Sequence, residues 1–428
     1  MKRLRHFLAA TTLLLGLVYF YVKHESLSVG APMLHAGSPT NVQQAHGFSD
    51  VDSDDQAGKA TLAESAQNRP VLDQSTQTSS TPAISSLQSQ SNKHGISSPV
   101  AESTSTMHPS SIGFDFQKDL NLELPVDTFA RLSENSPHNR NLEGAQPYAY
   151  ATFFASRNPS TEDPYYLAIH SLIYRILWAP RSRTSQYPII VFVGDFVSTE
   201  QRRLLAGAGA IVKELATLPW HPEDPGVQER WKDLFAKLHM WNETSYNRIL
   251  FLDADALPIA PIDEMFELKK VRNCIESKMQ LDDFLPGGEP ICEPYIFAGV
   301  PHDPYSIFDV DINVGSMVFT PNARQHQRLV QNYLKFDKYD VKMAEQAFLN
   351  WQFGINSAYP PGMLEREYGA FFPNADGEKG IKIVHEKIWA VQSGHWKDEW
   401  DGTWKEMLDF YRSEAFIAAR EEDGHSVR

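Results

Sequence analysis

The stretch RILFLDADALPIAPIDEMF, from Arg248 to Phe266, leads an apolar segment directly into two aspartates. Its first part predicts a buried strand, because it is a short apolar run that ends at a turn. Asp253 and Asp255 follow, and PIDEMFEL (261–268) predicts a short helix. In open α/β sheets, ligands bind beyond the carboxyl ends of the strands. We therefore expect the two carboxylates at the rim of a sheet and not in its core.

Short apolar runs and amphipathic runs alternate around this stretch. Strands that alternate with helices indicate a mostly parallel sheet covered by helices on both faces. The predicted fold class is therefore α/β, in one folded domain that spans residues 147–428. The predicted strands lie at 148–155, 189–194 and 210–215, and the predicted helices at 165–179, 199–209 and 229–244.

The N-terminal part of the chain has a different composition. A basic tail at 1–6 precedes an uncharged apolar run at 7–22, which is the layout of a signal anchor or a signal peptide. Bulky residues at the end of the run favour an uncleaved anchor over a cleaved signal peptide, with the N-terminus in the cytosol. Residues 23–146 are rich in Ser, Thr, Gln and Pro. They predict a disordered stem, because such a segment buries too little apolar surface to offset its ordering entropy.

Charge and cysteine content narrow the function classes. A net charge of −15 over 428 residues argues against nucleic acid as a partner, because a phosphate backbone is held by clustered Lys and Arg. Cys274 and Cys292 have no zinc-type spacing, and the sequence leaves open whether they form a disulfide. The sequon at Asn242 predicts N-glycosylation if the domain is luminal, and its occupancy stays open.

The aspartate pair is the main chemical signal. Two oxygen ligands that converge at a sheet edge bind a hard divalent cation such as Mg²⁺ or Mn²⁺, which keeps other positions for phosphate oxygens. A metal would explain how an acidic protein holds a diphosphate. One alternative is that Asp253 and Asp255 only cap the next helix. Another is the nucleophile motif of a haloacid-dehalogenase-type phosphatase, whose preferred residues are absent at Leu257 and Pro258.

The run AKLHMWNETSYNRILFLDADALPIAPIDEMF (236–266) resembles the central part of glycosyltransferase family 8, the glycogenin-like retaining enzymes with a Rossmann-like GT-A fold. The resemblance covers roughly residues 148–391. With the anchor and stem, the arrangement is similar to that of fungal Golgi N-acetylglucosaminyltransferases. The resemblance implies a single-pass type II membrane protein of the Golgi whose GT-A domain faces the lumen.

The same resemblance implies a metal site. In that family, an Asp-x-Asp pair and a downstream histidine bind Mn²⁺, which binds the diphosphate of a UDP-sugar. These roles fall on Asp253, Asp255 and His385, and the histidine ends the predicted strand IKIV. Ala254, within the motif, is assigned to the nucleotide. Lys387 follows the histidine more closely than the family's lysine does, and the resemblance gives it a diphosphate contact.

Further roles follow along the chain. Lys237 matches a family lysine that reaches the sugar nucleotide. In DINVGSMVFTPN (311–322), Asn313 is expected to hydrogen-bond the donor sugar, and Gly315 is expected to let the backbone approach the ligand. On the first strand, Thr152 and Phe153 are expected close to the uracil.

The segment MAEQAFLNWQF (343–353) resembles the family's Asp-Gln-Gly segment. Glu345 stands in place of the aspartate and Gln346 is kept. No side chain is an obvious nucleophile, so we expect a same-face route in which the leaving phosphate helps to deprotonate the acceptor. Glu345 is the candidate if a covalent intermediate forms.

The implied activity is metal-dependent, retaining transfer of a sugar from UDP to a glycan or glycoprotein acceptor. The resemblance favours GlcNAc as the sugar, with glucose and galactose as alternatives. The sequence does not identify the acceptor. An alternative from another class is a catalytically silent luminal protein that binds sugar nucleotides or glycans.

Overall fold

The sheets are built from strands of very different length. Within the described residues the strands are β1 (Tyr148–Phe154), β2 (Ile189–Gly194), β3 (Ile211–Leu215), β4 (Arg248–Leu252), β5 (Ala256–Pro258), β6 (Phe297–Pro301), β7 (Ile312–Phe319), β8 (Gly362–Met363), β9 (Ala370–Phe371) and β10 (Ile383–His385). Seven of them form the central sheet in the order β3-β2-β1-β4-β7-β6-β8, and β5, β10 and β9 form a second sheet.

The central sheet is mostly parallel, which confirms the prediction. The exception is β7, which runs antiparallel to both of its neighbours, β4 and β6. Leu252, the last residue of β4, pairs with Ser316 of β7. This register places the middle of β7 beside the residues that follow β4.

The computed structural model describes residues 115–140, 143–144, 147–303 and 310–424. All of them fall in the second of two units, Ala101–Arg428. The predicted anchor at 7–22 lies outside the described residues, as does the stem up to residue 114. Among the helices that could be examined, none combines the length and the apolar character that a membrane crossing requires.

Helices cover both faces of the central sheet, as the alternating pattern predicts. Large apolar clusters fill the space on each side. The α-helices of the described residues are α1 (Val126–Leu132), α2 (Pro164–Ile173), α3 (Thr199–Gly207), α4 (Ala323–Asn332), α5 (Ala344–Gln352), α6 (His395–Tyr411) and α7 (Glu414–Glu422). A π-helical segment, Tyr174–Trp178, continues α2.

The predicted helix at 229–244 is not one α-helix. The structure has two 3₁₀ segments there, Glu229–Trp231 and Leu234–Asn242. In the second segment six of the nine residues are buried, Lys237 included. A segment packed on almost all sides does not follow the single apolar stripe of a surface helix, so tertiary packing overrides the local pattern.

The predicted stem boundary at residue 146 is wrong, because the folded domain begins earlier. Helix α1 packs on the domain, and the fully buried ring of Phe129 contacts the rings of His170, Tyr411 and Phe416. The Leu120 amide donates a 2.9 Å hydrogen bond to the Glu162 carbonyl. This segment has few apolar residues and lies at the end of a long polar stretch. A prediction from composition therefore assigned it to the stem.

A disulfide joins Cys274 and Cys292, with 5.4 Å between the two Cα atoms. This settles the pairing that the sequence left open. The bond closes the loop between the 3₁₀ helix Asp263–Phe266 and β6.

Candidate active site

Three potential metal ligands meet where the two sheets join. Asp253 and Asp255 follow β4, and His385 ends β10. Strand β5 begins directly after Asp255 and pairs antiparallel with β10, so that Ala256 lies opposite His385. The Nε2 atom of His385 lies 3.4 Å from Oδ1 of Asp255. One ligand atom from each of the three residues lies within 4.8 Å of the others.

Gly315 on β7 makes this meeting sterically feasible. The Gly315 carbonyl accepts a 2.8 Å hydrogen bond from the Asp253 amide. A Cβ atom at position 315 would lie 2.3 Å from Cε1 of His385 and 2.6 Å from Oδ2 of Asp253. Such distances require the imidazole or the carboxylate to move. The absence of a side chain at position 315 therefore leaves room for the candidate ligands, whereas the family resemblance predicted that this room would let the backbone approach the nucleotide.

Two lysines hold the carboxylates of the cluster. The buried Lys237 ammonium lies 2.9 Å from Oδ1 of Asp253 and 2.8 Å from Oε1 of Glu345. The Lys387 ammonium lies 2.7 Å from Oδ2 of Asp255. Burial lowers the pKa of Lys237, but the charges of Asp253 and Glu345 outweigh burial and raise that pKa above its ordinary value. Lys237 is therefore a charged link between two elements, and not the solvated helix residue that its position suggests.

The Asp255 carboxyl is held in its ionised form. Burial raises its pKa, but the Lys387 charge and the His385 imidazole oppose burial and bring the pKa well below its usual range. An ionised carboxylate with an imidazole beside it is a donor set that suits Mn²⁺.

The described residues fit a divalent cation in two further respects. Asp253, Asp255 and Glu345 bring three carboxylates against the two ammonium groups of Lys237 and Lys387, which leaves one negative charge uncompensated. The buried Nδ1 atom of His385 has no hydrogen-bond partner among the described residues. A cation at the cluster would supply the missing positive charge.

The cluster forms one wall of a cavity of about 670 Å³. Most residues predicted for the site contribute to its lining, namely Phe153, Lys237, Asp253, Ala254, Asp255, Asn313, Glu345, Gln346, His385 and Lys387. A cavity of this size belongs to the range of small-molecule sites.

Thr152, which was predicted close to the uracil together with Phe153, does not line this cavity. Successive side chains of a strand point to opposite faces. Phe153 lines the cavity, whereas Thr152 is fully buried and its hydroxyl has no hydrogen-bond partner among the described residues.

One side of the cavity is shaped by β7 and the start of α5. Asn313 lines the cavity, and its side-chain oxygen accepts a 2.9 Å hydrogen bond from the Gly315 amide. The Gln346 oxygen accepts from the Val314 amide at 3.3 Å. Ala344, directly before Glu345, has a φ of +46°. Positive φ is uncommon for a residue with a Cβ and is enriched at functional sites.

Several residues that line the cavity were not predicted as site residues from the sequence. Arg157 forms a bidentate ion pair with Asp233, with distances of 2.9 and 2.7 Å, and its guanidinium lies 4.0 Å from the centre of the Phe196 ring. Gln117 lines the cavity from a segment that was assigned to the stem. Phe371 lines it from β9. A single Arg, Gln or Phe carries no local pattern, so only the fold brings these residues to the site.

No family model matches the chain. Among curated relatives, an uncharacterized protein of Schizosaccharomyces pombe is 24% identical over 344 residues, which are 71% of this chain and 90% of that protein. Galactinol synthase 7 of Arabidopsis thaliana is 28% identical over 258 residues, 49% of this chain and 74% of that enzyme. Galactinol synthase 1 of Solanum lycopersicum is 32% identical over 181 residues, 40% of this chain and 51% of that enzyme.

Two solved structures are similar at a low level. The glycosyltransferase GlyE of Streptococcus pneumoniae has 16% sequence identity and a TM-score of 0.40, and the match covers 64% of each chain. Mouse xyloside xylosyltransferase 1 has 13% identity and a TM-score of 0.38, with coverage of 57% of this chain and 99% of that one. The sequence similarity to galactinol synthases supports a sugar-transferring enzyme, a glycosyltransferase.

Proposed function

We propose that this protein is a family 8 glycosyltransferase that moves a sugar from a UDP donor to a hydroxyl group of a glycan or glycoprotein acceptor. One observation carries the proposal. Asp253, Asp255 and His385 meet at the wall of a ligand-sized cavity, and the carboxylates there outnumber the ammonium groups by one. The galactinol synthase relatives support the same class of reaction.

The proposed cofactor is Mn²⁺, held by Asp253, Asp255 and His385. When bound there, it would act as a Lewis acid toward the departing diphosphate. Lys387 is the lysine suited to contact a phosphate oxygen, because its side chain is partly exposed and lines the cavity. The buried Lys237 instead keeps Asp253 and Glu345 in a fixed relation.

The contacts of Glu345 bear on the reaction route. Its carboxylate is engaged by the Lys237 ammonium at 2.8 Å, which lowers its strength as a nucleophile. Glu345, Gln346 and the NH₂ group of Asn313 are better placed to hold the hydroxyl groups of the donor sugar. Retention then proceeds on one face of the sugar, with the acceptor proton passing to the leaving phosphate.

The finer assignments are part of the proposal. The donor is UDP-GlcNAc, UDP-glucose or UDP-galactose, and the sequence resemblance favours the first. The proposed location is the Golgi lumen, behind an N-terminal anchor at 7–22. Protease treatment of sealed microsomes tests this topology, since a luminal domain is protected until detergent is added.

The test of the activity is a donor panel scored by UDP release. The full-length protein is incubated with each of the three UDP-sugars and a glycan mixture, with Mn²⁺ or with a chelator. We expect UDP release with one donor in preference to the others, and its loss on chelation. Absence of both UDP binding and UDP release with every donor in the presence of Mn²⁺ would refute the proposal.

A further inference from the structure

Phe372 is an exception among the aromatic residues of this protein. Of the Phe, Tyr and Trp residues that the structure describes, it alone is exposed, with 59% of its surface accessible. Its backbone φ is +49°. The left-handed region is unfavourable for a residue with a Cβ, and such strain is concentrated at ligand sites. An exposed ring on a strained backbone contributes little to the core, so a role in binding is the better explanation.

The Phe372 ring contacts a residue that lines the candidate cavity. Phe371, its neighbour, lines the cavity, and the centres of the two rings are 4.1 Å apart. The Phe371 ring in turn lies 5.3 Å from the imidazole of His385, the candidate metal ligand. Strand β9 pairs with β10 so that Phe371 lies opposite His385. The two phenylalanines therefore form a continuous apolar surface from the cluster outward.

The backbone that presents Phe372 is held from several directions. Arg366 donates to the Phe371 carbonyl at 3.0 Å and to the Phe372 carbonyl at 3.4 Å. Glu378 fixes the Arg366 guanidinium with two contacts of 2.8 and 3.0 Å. The Trp396 indole donates to the Asn374 carbonyl at 2.7 Å. The backbone that carries the exposed ring is thus preorganised, which reduces the entropy lost when a ligand is bound.

We propose that Phe372, backed by Phe371, is a stacking platform for the pyranose ring of the acceptor at the mouth of the catalytic cavity. This inference rests on the proposed function and names the chemistry of its unknown substrate. A pyranose ring has one face of C–H groups, whose partial positive charge complements the negative face of an aromatic ring. The donor nucleotide is a poorer candidate for the platform, because its diphosphate is assigned to the charged cluster of Asp255, His385 and Lys387, whereas Phe372 lies outward from that cluster, beyond Phe371.

The test uses the full-length protein saturated with UDP and Mn²⁺ and measures binding by isothermal titration calorimetry. The probes are the methyl β-glycosides of glucose, galactose and GlcNAc, with glycerol as a polyol that has no ring face. We expect the wild type to bind at least one glycoside in preference to glycerol. Phe372→Gly should weaken that binding by about tenfold, whereas Phe372→Tyr should retain it.

The glycine variant separates binding from folding. Glycine adopts positive φ without strain, so the melting temperature of Phe372→Gly should equal or exceed that of the wild type. Leu281→Ala is the control for loss of an exposed apolar side chain, since Leu281 is 91% exposed and, unlike Phe372, has no chain neighbour that lines the cavity. It should leave glycoside binding unchanged.

Two results would overturn the platform while UDP binding is intact. One is equal glycoside affinity of Phe372→Gly and the wild type, and the other is a wild type that binds no glycoside better than glycerol. A wild type that fails to bind UDP with Mn²⁺ is a different result, because it removes the proposed function itself.

Discussion

Charged side chains are buried both at the candidate site and around Arg328, but the numbers of positive and negative groups match only around Arg328. Arg328 lies 2.7 Å from Asp283, and its second donor reaches the Gln352 carbonyl at 2.6 Å. That pair is one cation against one anion and does not line the cavity. The cluster at the cavity holds more carboxylates than ammonium groups. An uncompensated charge beside an open space, and not burial itself, therefore distinguishes the candidate binding site from a structural ion pair.

The largest effect is expected when a candidate metal ligand is removed. Asp255→Asn keeps the shape of the side chain and removes its charge, so the fold should persist while Mn²⁺-dependent UDP release falls by at least about 10³-fold. Calorimetric titration of UDP with and without Mn²⁺ should show the loss directly. Asp337→Asn is the matched control, because Asp337 is 79% exposed and outside the cavity. If Asp255→Asn kept its Mn²⁺-dependent UDP binding, the cluster would not be a metal site. Its charges would then have only a structural role, like the ion pair of Arg328 and Asp283.

At Arg328 we expect a loss of stability without a loss of activity. Arg328→Met leaves Asp283 buried without its counter-charge, which should lower the free energy of unfolding by about 3–5 kcal/mol. The activity per folded molecule should not change. Denaturant unfolding and the UDP-release rate measure the two quantities. The double variant Arg328→Met with Asp283→Leu should recover most of the stability, because both charges are then absent.

The sequence was informative where a pattern is local. The strand 189–194 has the predicted bounds, and the strand before Asp253 delivers the pair to the rim of the sheet. Repeating apolar runs specify such elements without knowledge of the rest of the fold. The meeting of Asp253 and Asp255 with His385 was inferred only through the family resemblance, because more than a hundred residues separate them and no local signal joins them.

The rest depended on tertiary contacts. Helix α1 is stabilised by rings from distant helices, so the composition of its own segment gave a disordered stem. Arg157 and Asp233 meet only because two loops end at the same cavity. Lys237 lies on a predicted surface helix, and its burial follows from carboxylates that two other segments supply.

Lys237 forms buried ion pairs, as Arg328 does, but it also belongs to the cluster at the cavity. Its removal therefore tests both stability and metal binding. Lys237→Met takes one cation from between Asp253 and Glu345, and without metal the free energy of unfolding should fall by about 3 kcal/mol. The remaining carboxylates would then attract a cation more strongly. Added Mn²⁺ should therefore raise the melting temperature of the variant more than that of the wild type. Thermal melts across a Mn²⁺ titration measure this difference, and equal shifts in both proteins would contradict a cation site at the cluster.

The smallest effect concerns a buried titratable group that has no counter-charge at all. His170 is fully buried, and neither of its ring nitrogens has a hydrogen-bond partner among the described residues. Its surroundings include the rings of Phe129 and Tyr166. Burial lowers the pKa of His170 from 6.5 to about 3. The folded protein therefore keeps this imidazole neutral at a pH where the unfolded chain protonates it.

The sign of the pH dependence follows from that difference. Below pH 6.5 the unfolded state binds a proton that the folded state does not bind until about pH 3. Stability should therefore be complete above pH 6.5 and fall with acidification, at up to about 1.4 kcal/mol per pH unit from this one residue. His170→Phe should reduce the slope by that amount between pH 6.5 and 4.5, measured by urea unfolding. Burial also lowers the pKa of His326, to about 4, so some slope remains in the variant.

The control is His221→Ala, an exposed histidine whose removal should leave the slope unchanged. If His170→Phe had the same slope as the wild type, the imidazole would have to become charged within the folded protein. It would then need a counter-charge that the described residues do not provide. Together with Arg328 and the cavity cluster, His170 gives three states of buried charge in one domain: neutral without a partner, balanced, and short of one cation. Only the last of these has a reason to bind a metal.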